Sequence, residues 1–174
     1  EGMDRRQRVE ELQATARGYY TAKDYERCLK SIQEAFVLEP VDTQLQTLNR
    51  EALAALEKEH RLAGLFQNAE KSFQEGKFTD ALGLLDELLS ADSSHADAAR
   101  LKEKVSREWQ RVQLVERLLS EAQGEASQRK WEAAAKKAQE GLKVAPNHDE
   151  FLQIHSYAQG ELEKAKRIAE LLKK

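Results

Sequence analysis

The chain of 174 residues is long enough for one ordinary domain or a short array. Charged residues make up 34% and the apolar set 40%, and two Pro and eight Gly are too few turn formers for an all-β chain of this size. A net charge of −3 gives no global basic signal for nucleic acid, the single Cys28 excludes an internal disulfide and fits a reducing, cytoplasmic compartment, and no apolar run nears the ~20 residues that span a bilayer.

Arg8 to Tyr20 reads as a helix, with Val9, Leu12, Ala16, Tyr19 and Tyr20 at spacings of three and four. The pattern breaks at Thr21–Asp24, and Asp24 is placed to cap a second, short helix. That helix carries Tyr25, Cys28, Leu29, Ile32, Ala35 and Phe36 on one stripe. It ends before Pro40, whose ring disfavours helix in the residue ahead of it. Asp42 or Thr43 caps the next helix, which runs from Thr43 to Gln74 without Pro. About 32 residues at 1.5 Å each make it near 50 Å long. Leu45, Leu48, Ala52, Ala55, Leu62, Phe66, Ala69 and Phe73 keep an approximate heptad register, interrupted only in the charged run Glu57–Arg61. Both ends are expected to pack and the middle to be solvated.

The cycle recurs. Phe78 to Leu89 is the next short helix, of 12 residues, and Asp92-Ser93-Ser94 is a turn. Ala96 to Ser127 is the second long helix, with Leu101, Val105, Trp109, Val112, Val115, Leu119, Ala122 and Ala126 in register. Trp131 to Val144 is the third short helix and Pro146-Asn147 its turn. Asp149 to Leu172 is a final helix bearing Phe151, Ile154, Ala158, Leu162, Ala165 and Ile168.

Tyr25, Phe78 and Trp131 stand 53 residues apart, each just after a turn. The same offset matches Ala16, Ala69 and Ala122, then Cys28, Ala81 and Ala134, then Leu12, Leu65 and Leu118. It also brings His95 onto His148. Apolar and small positions dominate the shared set, as a repeated packing unit requires. The chain reads as repeats 9–61, 62–114 and 115–167 with a trailing helix to 174, a fragment of a longer protein.

Within each cycle the hairpin resembles a tetratricopeptide repeat, a helix–turn–helix unit with a small residue in the first helix, an aromatic just into the second, a small residue three later and Pro near the end. Ala16, Tyr25, Cys28 and Pro40 take those places, as do Ala69, Phe78 and Ala81, and then Ala122, Trp131, Ala134 and Pro146. Two departures stand out: the period is 53 rather than 34 residues, and Ser93 replaces Pro in the second copy. The extra turns fuse one hairpin to the next through a long helix whose first half packs back on the preceding short helix. The expected fold is all-α, a TPR-like array of alternating long and short helices forming an elongated rod of small three-helix bundles.

No glycine-rich phosphate loop, nucleophile elbow or Cys/His metal spacing is present, so no cofactor, metal or catalytic residue is assigned and no enzyme is expected. His95 and His148 sit at turn positions, and His60 and His155 are scattered. Cys28 fills a small-residue packing site as a buried thiol. Arg100–Arg107 and Lys164–Arg167 interleave with Glu, as solvated helix faces do.

The resemblance implies a face on the first helix of each hairpin. It comprises Arg17 and Tyr20, then Phe66, Glu70 and Phe73, then Leu119 and Gln123. Phe66 and Phe73 either pack internally or add apolar area to that face. Two functions follow: a non-catalytic scaffold that binds a protein partner, or a structural spacer that self-associates as a homo-oligomer between other domains. Similar extended arrays resemble segments that follow kinase domains in some bacterial serine/threonine kinases. A compact globule of this length would have a radius of gyration of about 16 Å. Small-angle scattering is expected to give a clearly larger value, and a value near 16 Å would sink the rod.

Overall fold

The computed structural model describes residues 2–173, and their side chains from residue 4. Seven α-helices make up the described chain: α1 (Gly2–Thr21), α2 (Tyr25–Leu38), α3 (Thr43–Gln74), α4 (Phe78–Ala91), α5 (Ala96–Ser127), α6 (Trp131–Val144) and α7 (Asp149–Leu171). Long helices α3 and α5 have 32 residues each, and α2, α4 and α6 have 14. The fold is all-α and repeat-like. Two compact units divide it, Glu1–Ala98 and Ala99–Lys174.

Four boundaries differ from the expectation, the smallest being the end of α1 at Thr21 rather than Tyr20. Helix α1 begins at Gly2 rather than Arg8, because Arg5 to Arg8 are good helix formers and Asp4 suits the first turn, yet none carries an apolar stripe to announce them. Arg5 has a structural task there: its guanidinium donates from Nε to the Leu38 carbonyl at 2.8 Å and from a second nitrogen to the same oxygen, closing the C-terminus of α2. Helix α4 runs on to Ala91, two residues past the expected end. Helix α7 stops at Leu171, and Lys174 lies outside the described residues.

In the first unit, α1, α2 and the first half of α3 form a three-helix bundle. Its core is Val9, Leu12 and Ala16 from α1, Cys28, Ile32 and Ala35 from α2, and Leu45, Leu48 and Ala52 from α3. The second half of α3 packs on α4, where Ala69, Ala81, Leu85 and Leu88 are buried. Between these halves Glu57 to Arg61 are exposed, as the charged run predicts. Arg61 bonds Glu87 of α4 at 2.6 Å. In the second unit Leu118 and Ala122 of α5, Ala138 of α6 and Phe151 of α7 form the equivalent core, beside Ala134, Ala135 and Ala158.

The three elbows are built alike. Asp24, Lys77 and Lys130 donate their backbone N–H to the carbonyls of Tyr19, Ser72 and Glu125, at 2.9, 2.8 and 3.0 Å. The preceding residues, Lys23, Gly76 and Arg129, donate to Tyr20, Phe73 and Ala126 at 3.0 Å each. This is a Schellman closure, which needs a left-handed residue at its fifth position. Lys23, Gly76 and Arg129 supply it with φ of 59°, 74° and 56°. Only the middle copy uses Gly, so the outer two carry a steric cost of roughly 1 kcal/mol each. At the other turn, Glu39, Asp92 and Ala145 share one backbone conformation, with φ between −134° and −146° and ψ between 82° and 90°. Ser93 following Asp92 does not alter it, so Pro at this site favours the turn without being required.

Core sizes compensate across copies. Positions 35, 88 and 141 hold Ala, Leu and Gly, and positions 45, 98 and 151 hold Leu, Ala and Phe, all of them buried. Each small residue is thus matched by a larger one, and the extreme pair is Gly141 with Phe151. A Cβ on Gly141 would lie 2.3 Å from Phe151 Cζ. Gly141→Ala is therefore expected to destabilise the protein by about 1–3 kcal/mol through overpacking, despite the better helix propensity of Ala. Adding Phe151→Leu recreates the Ala35/Leu45 pairing and should recover most of that loss. Urea unfolding followed by circular dichroism measures both, and a stabilised Gly141→Ala would contradict the packing argument.

Candidate interaction surface

Among the residues assigned to a binding face, Arg17 and Tyr20 stand on α1, which shares a bundle with α3, and Leu119 and Gln123 on α5, which packs with α7. In the first unit this leaves an open cleft between the last turns of α1 and the first turns of α3. It has a volume of about 550 Å³ and its walls include Arg17, Tyr20, Gln44, Thr47, Leu48 and Glu51. Gln44 Oε1 bridges it, accepting from Gln13 Nε2 at 3.0 Å and from Arg17 Nη2 at 3.1 Å. Asp42 sets the start of α3 by accepting from the backbone N–H of Gln44 at 2.7 Å and of Leu45 at 3.0 Å. Tyr20 is half-buried, its ring edge-on to Tyr25 at 5.6 Å.

The second unit repeats this cleft two periods on, between α5 and α7. Gln123 Nε2 donates to Glu150 Oε2 at 3.0 Å, in register with Arg17 and Gln44. Beyond that bridge lies a shallow opening of about 700 Å³ lined by Ala126, Leu152, Gln153, Ile154, Ser156 and Tyr157. Its chemistry has changed from polar to apolar: Tyr157 stands where Glu51 does, and Ala126 where Tyr20 does. Tyr157 is 62% exposed and Leu152 47%. The Tyr157 ring meets Trp131 edge-on at 5.4 Å.

The remaining assigned residues are dispersed. Phe66 is half-buried and stacks on His95, centroids 5.6 Å apart and planes 28°. Phe73 is half-buried and meets Phe78 edge-on at 6.0 Å, the same contact that Tyr20 makes with Tyr25. Leu119 lies half-buried against the core of the second unit. Glu70 is exposed. Sequence reasoning missed Leu152 and Tyr157 because it followed the first helix of each hairpin alone. The signal was present: adding two periods to Thr47, Leu48 and Glu51 gives Gln153, Ile154 and Tyr157.

The histidines at the turns act as expected for turn residues, though unequally. His95 Nδ1 accepts from the backbone N–H of Ala98 at 3.1 Å, a side-chain cap on α5. His148 occupies the same place before α7 without such a bond, and its buried Nδ1 has no partner among the described residues. Beside His95, hydrogen bonds from the side chain and backbone of Ser94 hold the Asp92 carboxyl below its ordinary range. Among the described residues no group of three or more His, Cys, Asp or Glu is placed to hold a metal ion, and no helix is long and apolar enough to cross a membrane.

No protein-family model matches the chain, and no curated protein matches it. Among solved structures it is similar to the first TPR of Spaghetti (RPAP3), determined bound to the HSP90 peptide SRMEEVD. The identity is 15%, over 90% of this chain and 94% of that one, with a TM-score of 0.26. No residue role follows from that match.

Cys28 is fully buried in the first bundle. Burial pushes its thiol above the ordinary value, and a hydrogen bond with the Tyr20 backbone opposes that push. The folded state therefore keeps the proton at pH values where the unfolded chain has begun to lose it. Stability is expected to fall as pH rises through that alkaline window. Cys28→Ala, which installs the residue present at 81 and 134, is expected to cost no more than about 1 kcal/mol at neutral pH. It should also remove that part of the alkaline loss, as equilibrium unfolding at several pH values can read.

Proposed function

We propose that the chain is a non-catalytic scaffold for protein–protein interaction, an extended TPR-like array with a 53-residue period over 9–61, 62–114 and 115–167. Its partner binds along the clefts between α1 and α3 in the first unit and between α5 and α7 in the second. The observation that carries this reading is the apolar opening of the second unit, where Leu152 and Tyr157 stand exposed around Ile154 and Ala126. An exposed aromatic beside an aliphatic floor is the composition of an interface centre. Arg17 and Tyr20 offer a more polar counterpart in the first unit, and Gln123 and Glu150 a polar rim in the second. Glu70, Phe66, Phe73 and Leu119 remain part of the proposed face, with the two Phe rings giving much of their area to packing.

Peptides selected against the immobilised full chain from a random displayed library test the reading. Binding is expected to fall at least about tenfold in Tyr157→Ala and in Leu152→Glu, the loss of one well-packed anchor. Circular dichroism should show both variants folded. Peptides that bind both variants as well as the parent chain would place the interaction elsewhere.

A further inference from the structure

The two clefts share a frame and differ in charge. One side-chain hydrogen bond crosses each of them at the same two repeat positions, from Arg17 to Gln44 at 3.1 Å and from Gln123 to Glu150 at 3.0 Å. The first crossing therefore carries a cation and the second a carboxylate. Glu150 Oε2 accepts from a neutral amide, and neither Glu150 nor its neighbour Asp149 has a cationic partner among the described residues. Both are exposed. Other carboxylates of this unit are paired, Glu121 with Lys137 at 2.8 Å and Glu161 with Lys164 at 2.7 Å.

The unmatched carboxylate adjoins the apolar opening on both walls. Glu150 stands one turn before Ile154 on α7, and Gln123 one turn before Ala126 on α5. Further along, Tyr157 meets Trp131. Arg129 stands at that elbow end, its backbone N–H bonded to the Ala126 carbonyl at 3.0 Å. The cleft thus runs from an acidic end through an apolar floor to a basic end. Its openness recurs in every copy. Leu152 is exposed, as are Ala99 and Gln46 at the same position, and Tyr157 is exposed, as are Lys104 and Glu51. Gln46 and Glu51 stay in solvent although α4 follows within their own unit, so the continuing chain does not cover this position.

We propose that the cleft between α5 and α7 takes a peptide segment in which an aliphatic or aromatic residue is flanked by Lys or Arg. The apolar side chain packs on Leu152 and Tyr157, and the cation pairs with Glu150. Glu150 is then the residue that selects the charge of the ligand, and Arg17 reverses that selection in the cleft of the first unit. Like charge at this point repels the wrong segment as surely as opposite charge attracts the right one. The inference rests on the scaffold reading and adds the chemistry of the ligand to it.

The test selects peptides from a random displayed library on the immobilised full chain and keeps those that Tyr157→Ala releases. These are expected to carry Lys or Arg beside an apolar residue. Synthetic copies should bind the Glu150→Gln chain about fivefold more weakly, near the upper limit for an exposed ion pair. Added salt should shrink that difference. The Gln123→Arg/Glu150→Gln chain, which carries the crossing of the first unit, should instead select peptides with Asp or Glu at the same place. Circular dichroism should show both variants folded, since both positions are exposed. Tyr157-dependent peptides without a basic residue, or with equal affinity for the Glu150→Gln chain, overturn this inference and leave the scaffold reading standing. A library that yields no Tyr157-dependent peptide overturns both.

Discussion

Two helices come close only where the side chains between them are small, and that constraint organises this protein. Ala16 and Cys28, Ala69 and Ala81, and Ala122 and Ala134 occupy equivalent places on the first and second helices of three hairpins, and none exposes any surface. Larger residues at these points would force the axes apart and strip the flanking Ile32, Leu85 and Ala138 of their neighbours. Everything else can drift more freely. Position 25 accepts Tyr, Phe or Trp, and positions 35 and 45 exchange volume with each other from copy to copy.

The elbows are the second constraint, and they act through the backbone. The same two hydrogen bonds close each one, with a left-handed residue between them. A lysine and an arginine tolerate that conformation at two of the three sites. The closure and the helix packing beyond it therefore outweigh a local steric cost. Because the elbows are alike, the clefts they leave are alike in position. What distinguishes the clefts is decoration: Glu51 in one, Tyr157 in the other.

Helix placement was legible from the sequence because the apolar stripe, the capping Asp24 and Asp42 and the 53-residue offset all agree. Helices α3, α5 and α6 begin and end where the pattern puts them. The start of α1 was not legible, since Asp4 to Arg8 form helix without a buried face, and the Arg5 contact with Leu38 joins residues that no periodicity relates. The left-handed Lys23 and Arg129 were equally silent, being residue types that carry no turn signal. On the surface, residue identity pointed to the aromatics Phe66 and Phe73. Geometry pairs each of them with a ring of its own unit, while Tyr157 and Leu152 stand out only once the neighbouring long helix is counted as a wall.

The exposed run Glu57 to Arg61 in the middle of α3 separates a half that belongs to the first bundle from a half that packs on α4. Neither half can lose its helix without fraying into this run, yet the run itself is held mainly by backbone hydrogen bonds and by residues of high helix propensity. Folding cooperativity between the two packed regions must then pass through a few turns whose stability is a matter of helix–coil equilibrium. Its strength is adjustable by single exposed substitutions that touch no core. A glycine at Glu59 would loosen the coupling between neighbouring regions while leaving each of them intact, so how far unfolding spreads along the chain is set by surface residues as much as by the cores.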